Sequence, residues 1–203
     1  MRKLSDISVK NKTVALRADL NVPVKEGIIL DDSRIEAVIP TVKYLLTKNC
    51  KIILMSHFGR PKAGTFDPQA SLQPIARRIG EMLNQEVDFI SAIKDVKFKS
   101  TISLLENTRF LIGELENNEE LSKNLGSMAE VYVFDAFGTA HREQASTFGA
   151  IYQANVSCAG LLLEAEIEAL TKAIHSNDKP LLSIVGGSKV STKLEVLKNL
   201  SQF

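Results

Sequence analysis

Short apolar runs alternate with amphipathic segments along this chain, and this alternation is what most constrains the fold. The apolar runs cover Thr13 to Leu16, Ile52 to Met55, Val87 to Ile90, Ile102 to Leu105, Val131 to Phe134 and Leu181 to Val185. Short apolar runs of this kind are typical of buried strands. Strands separated by helices form parallel sheets with right-handed crossovers. The sequence therefore predicts an α/β fold built on a parallel sheet.

The intervening helices are predicted by apolar residues that recur at intervals of three and four positions. After the first strand, Ser33 and Glu36 fit a capping box, in which each side chain accepts a hydrogen bond from an amide at the helix start. Pro40 lies inside the apolar repeat that follows, which predicts a kink or a later helix start. Further helices are predicted from Leu72 to Leu83, from Asn117 or Asn118 onward, and from Leu161 to His175. Together these elements predict a Rossmann-like parallel sheet with helices on both faces, in three αβα layers.

Charge and cysteine usage narrow the class of protein. The chain of 203 residues carries 25 Lys and Arg against 24 Asp and Glu, a formal net charge of +1, which argues against a nucleic-acid binder that works through bulk charge. Cys50 and Cys158 are too few for a structural zinc site and are predicted to be buried thiols. We find no signal peptide and no apolar run near the roughly 20 residues that span a bilayer. We therefore expect a cytoplasmic protein without a membrane partner.

Polar side chains follow the first two of these strands. Asp19 and Asn21 come after the first strand, where such residues act either as ligand groups or simply as turn formers. His57 and Arg60 follow the second strand in a turn that contains Gly59. A lone histidine is usually structural, but a histidine and an arginine in one turn at a strand end also suit an anion.

Arginines appear at three further positions that the sheet would bring to the same edge. Arg109 and Arg142 follow later strands, and Arg34 falls in the first turn of a helix, where a cation is unfavourable unless it has an anionic partner. Arginine binds phosphate and carboxylate through paired hydrogen bonds. These residues are therefore either scattered surface arginines or a cluster that binds a multiply charged anion, for which a small phosphorylated acid is the best fit.

The segment from Gly186 to Lys193 is a second candidate anion site. It lacks the glycine spacing of a P-loop and of a dinucleotide fingerprint. A strand, a glycine pair and the lysines Lys189 and Lys193, one helical turn apart, still suit a phosphate chain at a helix N-terminus.

Five segments together resemble the signature sequences of a known family, in the family order and over the whole chain. They are Arg17-Ala-Asp-Leu-Asn-Val-Pro-Val24, Ser56-His-Phe-Gly-Arg-Pro61, Leu105-Glu-Asn-Thr-Arg-Phe110, Asp135-Ala-Phe-Gly-Thr-Ala-His-Arg142 and Gly186-Gly-Ser-Lys-Val-Ser-Thr-Lys193. The family is that of the phosphoglycerate kinases. Phe58 and Glu143 stand where Leu and a small residue are usual, and neither is among the expected ligand groups.

This resemblance implies a two-lobed glycolytic enzyme that transfers a phosphoryl group between 1,3-bisphosphoglycerate and ADP, with Mg²⁺. The residues that would hold the 3-phosphate are His57, Arg60, Arg109 and Arg142. The hydroxyl and carboxylate end would be held by Asp19, Asn21 and Arg34. Arg34 and Lys189 would be the catalytic residues, Lys189 and Lys193 would contact nucleotide phosphates, and the chain itself would hold no metal.

The resemblance also implies a domain organisation. Residues 1–160 would be the glycerate-binding domain, residues 161–179 a connecting helix and hinge, and residues 180–203 the start of a nucleotide-binding domain. That second lobe would hold most of the ATP or ADP and its Mg²⁺. We therefore expect the 203-residue chain to lack turnover by itself and the full-length protein to be a monomer. The alternative is a non-catalytic module that binds a phosphorylated anion.

Overall fold

The computed structural model describes residues 1–95 and 99–175, together with the single residues 182, 184, 194 and 198. The chain divides into two compact units, Met1–Ala165 and Glu166–Phe203, and the fold described below is that of the first. The predicted strand from Leu181 to Val185 and the helix predicted to begin near Val190 lie, apart from those single residues, outside the described part of the chain.

A parallel sheet of six strands forms the centre of the first unit. The strands in the described part of the chain are β1 (Thr13–Ala18), β2 (Val24–Lys25), β3 (Ile28–Ile29), β4 (Lys51–Met55), β5 (Val87–Ile90), β6 (Ile102–Leu105), β7 (Val131–Asp135) and β8 (Ser157–Ala159). The sheet order is β5-β6-β4-β1-β7-β8, and each neighbouring pair is parallel. β2 and β3 form a separate antiparallel hairpin. The chain runs from β1 to β4 on one side and later returns from β6 to β7 on the other side of β1. The strand order therefore reverses at β1, and ligands bind at the carboxyl ends of strands at such a point.

Helices cover both faces of the sheet, which confirms the predicted three-layer fold. They are α1 (Ser33–Thr47), α2 (Gln73–Leu83), α3 (Glu119–Ser127) and α4 (Ala150–Gln153). A further helix, α5 (Leu161–His175), begins in the first unit and continues into the second. Leu16 and Leu54 pack into one core with buried residues of α1 and α2. Ala15 and Ile53, which point to the other face, pack into a second core with residues of α3 and α4. Successive residues of the central strands serve opposite cores, and this explains why these strands carry apolar residues on both faces.

The start of α1 differs from the prediction. The capping box of Ser33 and Glu36 is wrong, because the residue that precedes the helix is Asp32 and no side chain caps it. Ser33 already lies inside the helix, and the carboxylate of Asp32 is bound by Arg78. A start later than Pro40 is also wrong, since the first turn forms on the carbonyl of Asp32 and is anchored by buried Ile35.

Two other local predictions are confirmed. Asn118 precedes α3 and its side chain accepts from the amide of Leu121, with Glu119 and Glu120 in the first turn. Cys50 and Cys158 are both buried free thiols. Within the described residues, no helix has the length and apolar character needed to cross a membrane.

Candidate anion-binding site

The strand-end residues lie on neighbouring strands at one edge of the sheet. Asp19 follows β1, His57 follows β4, Arg109 follows β6 and Arg142 follows β7 after a short 3-10 turn. β1 lies between β4 and β7, and β6 lies next to β4. Parallel strands present their carboxyl ends at the same edge, so these loops converge on one region. The structure therefore brings together residues that are widely separated in sequence.

His57 lies buried at the centre of this edge, between two guanidinium groups. Nη2 of Arg17 lies 3.4 Å from its Nδ1, and Nη1 of Arg142 lies 3.3 Å from its Nε2. Burial of the ring, together with the charges of Arg17, Arg109, Arg142 and Arg34, lowers the pKa of His57 to about 3. The ring is therefore neutral near pH 7 and adds hydrogen-bonding capacity without adding charge.

Asp19 and Arg34 form an ion pair at the rim of the site. Nη1 of Arg34 donates to Oδ2 of Asp19, and half of the Arg34 side chain is exposed. Oδ1 of Asp19 lies 4.0 Å from Nδ1 of His57, which is beyond hydrogen-bond distance. A cation is unfavourable at a helix start, and for Arg34 the carboxylate of Asp19 is the anionic partner that offsets this. The exposed half of the Arg34 side chain remains accessible to a ligand.

Asn21 positions the turn that carries Arg60. Oδ1 of Asn21 accepts from the amide of Gly59 at 2.9 Å, and Gly59 has a φ of 58°, a conformation that suits glycine. Because this oxygen is occupied, a contact from Asn21 to a ligand would come from its side-chain NH₂ group. Arg60, the next residue in the turn, is exposed.

Arg109 is close enough to the other arginines to be affected by their charge. Burial lowers the pKa of Arg109, and the charge of Arg142 lowers it further. The carboxylate of Glu114 raises this pKa, and Arg60 and Arg17 lower it by smaller amounts. Its Nε is buried, and the described part of the chain supplies no hydrogen-bond partner for it. A buried guanidinium nitrogen without a partner is costly, and an anionic ligand would supply the missing acceptor.

Asn107 holds the loops after β4 and β6 together, a role that sequence reasoning missed. Its Oδ1 accepts from the amides of Phe58 and Arg109 at 3.0 and 3.1 Å. Its Nδ2 donates to the carbonyls of Phe58 and Ala70 at 2.7 and 2.9 Å. The buried amide is thus fully used, and it fixes the backbone on either side of the site. Its place between Glu106 and Thr108 resembles an ordinary turn, so the sequence carried no distinctive signal.

Arg17 was also assigned no role from the sequence. It is fully buried in β1, which continues to Ala18 and so extends two residues beyond the predicted end at Leu16. A buried guanidinium requires several acceptors, and these come from other parts of the chain.

Two expectations about the site concern a metal and the lysines. The basic edge does not suit Mg²⁺, which prefers carboxylates and water, because its carboxylate Asp19 is already paired with Arg34. No group of three or more His, Cys, Asp or Glu side chains in the described residues could hold a metal ion. Lys189 and Lys193 lie outside the described residues.

Comparison with known proteins identifies the relatives of this chain. A sequence model of the family described as phosphoglycerate kinase matches residues 4–203. The chain is 48% identical over 199 residues to the phosphoglycerate kinase of Desulfovibrio desulfuricans, covering 98% of this chain and 51% of that protein. It is 50% identical over 199 residues to that of Francisella tularensis subsp. holarctica, covering 97% and 51% respectively.

Solved structures give the same result. The structure of phosphoglycerate kinase from Coxiella burnetii superimposes with a TM-score of 0.90 at 44% identity, covering 98% of this chain and 51% of that one. The enzyme from Pyrococcus horikoshii OT3 superimposes with a TM-score of 0.85 at 36% identity, covering 100% and 53%. The chain thus spans about half the length of the relatives it matches. From its sequence match over residues 4–203 and its fold, the chain belongs to the phosphoglycerate kinase family.

Proposed function

We propose that this chain supplies the 3-phosphoglycerate site of a phosphoglycerate kinase. The enzyme would transfer a phosphoryl group reversibly between 1,3-bisphosphoglycerate and ADP, giving 3-phosphoglycerate and ATP. The observation that carries the proposal is the convergence of Arg34, Arg109 and Arg142 around the buried neutral ring of His57. Arg34 is already paired with Asp19, but Arg109 and Arg142 repel each other, and a bound anion would offset that repulsion.

The 3-phosphate is proposed to bind His57, Arg60, Arg109 and Arg142. Arg109 offers a buried Nε without an acceptor, and Arg142 lies in direct contact with the ring of His57. Guanidinium groups can each bind phosphate through two parallel hydrogen bonds. A neutral imidazole adds one donor to the phosphate without increasing the repulsion among the arginines.

The glycerate hydroxyl and carboxylate are proposed to bind Asp19, Asn21 and Arg34. Asp19 would accept from the hydroxyl, the NH₂ group of Asn21 would donate, and the exposed guanidinium of Arg34 would reach the carboxylate and the group being transferred. Phosphoryl transfer needs little covalent participation by the protein, and depends on positioning and charge neutralisation. Arg34 is therefore proposed as a catalytic residue.

The nucleotide side of the reaction is proposed to involve Lys189 and Lys193. Lys189 would stabilise the phosphoryl group in transfer, and Lys193 would contact nucleotide phosphates. In a full-length enzyme, Lys189→Ala should lower kcat far more than it raises KM for the glycerate, because that contact matures in the transition state. A normal kcat with a raised KM would contradict this role. Binding without any turnover in the full-length protein would instead favour a non-catalytic anion-binding module.

The rest of the proposal concerns the part of the relatives that this chain does not span. That part would hold most of the ATP or ADP and the Mg²⁺ that bridges its phosphates. Residues 1–160 would be the glycerate domain, residues 161–179 the connecting helix and hinge, and residues 180–203 the first part of the nucleotide domain. We propose that these 203 residues alone bind glycerate without turnover, and that the full-length protein is a cytoplasmic monomer.

Calorimetric titration of the purified protein with 3-phosphoglycerate tests the site. Arg109→Ala should weaken binding by about 2–4 kcal/mol, as expected for a lost charged hydrogen bond that is partly buried. Arg77→Ala is the matched control, because Arg77 is an exposed arginine of α2 and should leave the affinity unchanged. Equal affinity of Arg109→Ala and wild type would show that Arg109 does not bind the ligand, and no binding by wild type would refute the proposal.

A further inference from the structure

A buried polar cluster lies beside the anion site and has no place in the function proposed above. Its charged members are Arg17 and Glu114, which are 0% and 1% exposed, and Ser146, also 0% exposed, lies between them. Oγ of Ser146 lies 2.5 Å from Oε1 of Glu114 and 2.9 Å from Nε of Arg17. The hydroxyl of Tyr132 donates to the carbonyl of Ser146 at 2.5 Å. Burying two charges costs desolvation free energy, which only a close geometry and further hydrogen bonds can offset.

The donor and the acceptor of each hydrogen bond in this cluster follow from which groups carry a proton. The amide of Ser146 donates to Oε2 of Glu114 at 3.0 Å, so both carboxylate oxygens accept from the same residue. The single hydroxyl proton of Ser146 goes to Oε1, which leaves Oγ to accept from Nε of Arg17. Nη1 of Arg17 donates to the carbonyl of Ala18. Arg17 is thereby held in one orientation.

In that orientation, Nη2 of Arg17 faces Nδ1 of His57 at 3.4 Å. A guanidinium has only donors, so the ring nitrogen that faces it must be an acceptor. A neutral imidazole carries one proton, and that proton is then on Nε2. The opposite tautomer would set an N–H of His57 against the fixed N–H of Arg17, and Asp19 at 4.0 Å is too distant to compensate.

The consequence appears on the ligand side of the ring. Nε2 lies 3.3 Å from Nη1 of Arg142, so the N–H of His57 and a guanidinium donor face the same region. Arg142 is partly exposed and can turn, whereas Arg17 is fully buried. Two adjacent donors on one side suit an oxygen of an anion, which accepts from both.

We propose that Glu114 and Ser146 are positioning residues of the anion site, which fix Arg17 and through it keep the proton of His57 on Nε2, where it donates to the ligand phosphate. This inference rests on the proposed function for the identity of the ligand. Glu114 also raises the pKa of Arg17 against the lowering that burial causes, so the carboxylate keeps the buried guanidinium charged as well as oriented.

The first test is a ¹⁵N NMR spectrum of histidines in the purified wild-type protein near pH 7. The chain has three histidines, and comparison with His57→Gln assigns the signals of His57. The proposal predicts a protonated Nε2 and an unprotonated Nδ1. A proton on Nδ1 would overturn it, and this result needs no variant of the buried cluster to fold.

The second test compares Glu114→Gln and Ser146→Ala with Glu116→Gln, which removes the same charge two residues away at an exposed position. The buried variants should bind 3-phosphoglycerate about tenfold more weakly, as for a lost hydrogen bond to a charged group, and show a mixed tautomer at His57. The control Glu116→Gln should match wild type in its affinity for 3-phosphoglycerate and in the tautomer of His57. If folded Glu114→Gln keeps the wild-type tautomer and affinity, Glu114 has no positioning role. If wild type does not bind 3-phosphoglycerate, the proposed function is wrong. The ¹⁵N NMR spectrum of wild type still shows which nitrogen of His57 carries the proton.

Discussion

Substitution of Asn107 by Asp tests whether this buried amide holds the site together. The change keeps the shape of the side chain and the oxygen that accepts from Phe58 and Arg109. It replaces the NH₂ group, which donates to the carbonyls of Phe58 and Ala70, with a second oxygen. An ionised carboxylate would face two carbonyl oxygens, so the folded state should favour the protonated acid.

The expected loss of stability follows from that protonation. An unfolded Asp has a pKa near 3.9, and holding it neutral costs about 1.4 kcal/mol for each pH unit above that value. Because its folded pKa is raised, the stability of the variant relative to wild type falls as pH rises. The free energy of unfolding should therefore decrease, relative to wild type, by about 2–3 kcal/mol more at pH 7 than at pH 5.

Denaturant unfolding of both proteins at the two pH values measures this difference. Asn118→Asp is the matched control, because Oδ1 of Asn118 only accepts, from the amide of Leu121 at the start of α3. A carboxylate at that position is neutral or slightly stabilising. A loss for Asn107→Asp that does not change with pH, or that equals the loss of the control, would refute the assigned hydrogen bonds.

Two further predictions concern buried groups near the site. The folded pKa of His57, about 3, lies below its unfolded value, so its contribution is fully present above pH 6.5 and is lost as pH falls toward 3. Unfolding experiments should show wild type losing about 2 kcal/mol relative to His57→Gln between pH 7.5 and 5, and NMR titration of His57 with a midpoint above 6 would contradict this. A Cβ on Gly160 would lie 2.2 Å from Cγ of buried Asp135, so Gly160→Ala should destabilise the fold by about 1–3 kcal/mol. The control Gly138→Ala meets its nearest atom at 3.5 Å, and equal melting temperatures for the two variants would show that the space beside Asp135 is not restricted.

The sheet could be predicted because its strands are buried on both faces. Runs such as Ile52 to Met55 are apolar at every position, and the structure places them between two cores. β8 was missed, since Ser157–Ala159 has three small residues and gains its strand conformation from pairing with β7. The capping at the start of α1 was predicted wrongly. The carboxylate of Asp32, which precedes the helix, binds Arg78, 46 residues away, and this contact has no local signature.

The location of the candidate site could be predicted from the parallel sheet, whereas the contacts that hold its loops in place could not. Polar residues after parallel strands meet at one edge whatever the details of packing. Asn107 and Phe58 are 49 residues apart, and Glu114 and Ser146 are 32 apart. Such contacts depend on how loops pack across the edge, which a reading of one sequence does not reveal. Arg17 was missed because the predicted strand stopped at Leu16, whereas β1 continues to Ala18 and buries the Arg17 side chain.

A crystal structure of the purified protein soaked with 3-phosphoglycerate would show directly where the ligand binds. We expect the phosphate at the carboxyl edge of the sheet, with its oxygens about 2.7–2.9 Å from guanidinium nitrogens of Arg109 and Arg142 and near Nε2 of His57. The carboxylate end should lie toward Arg34. Ligand density at any other surface, with an empty basic edge, would contradict the account.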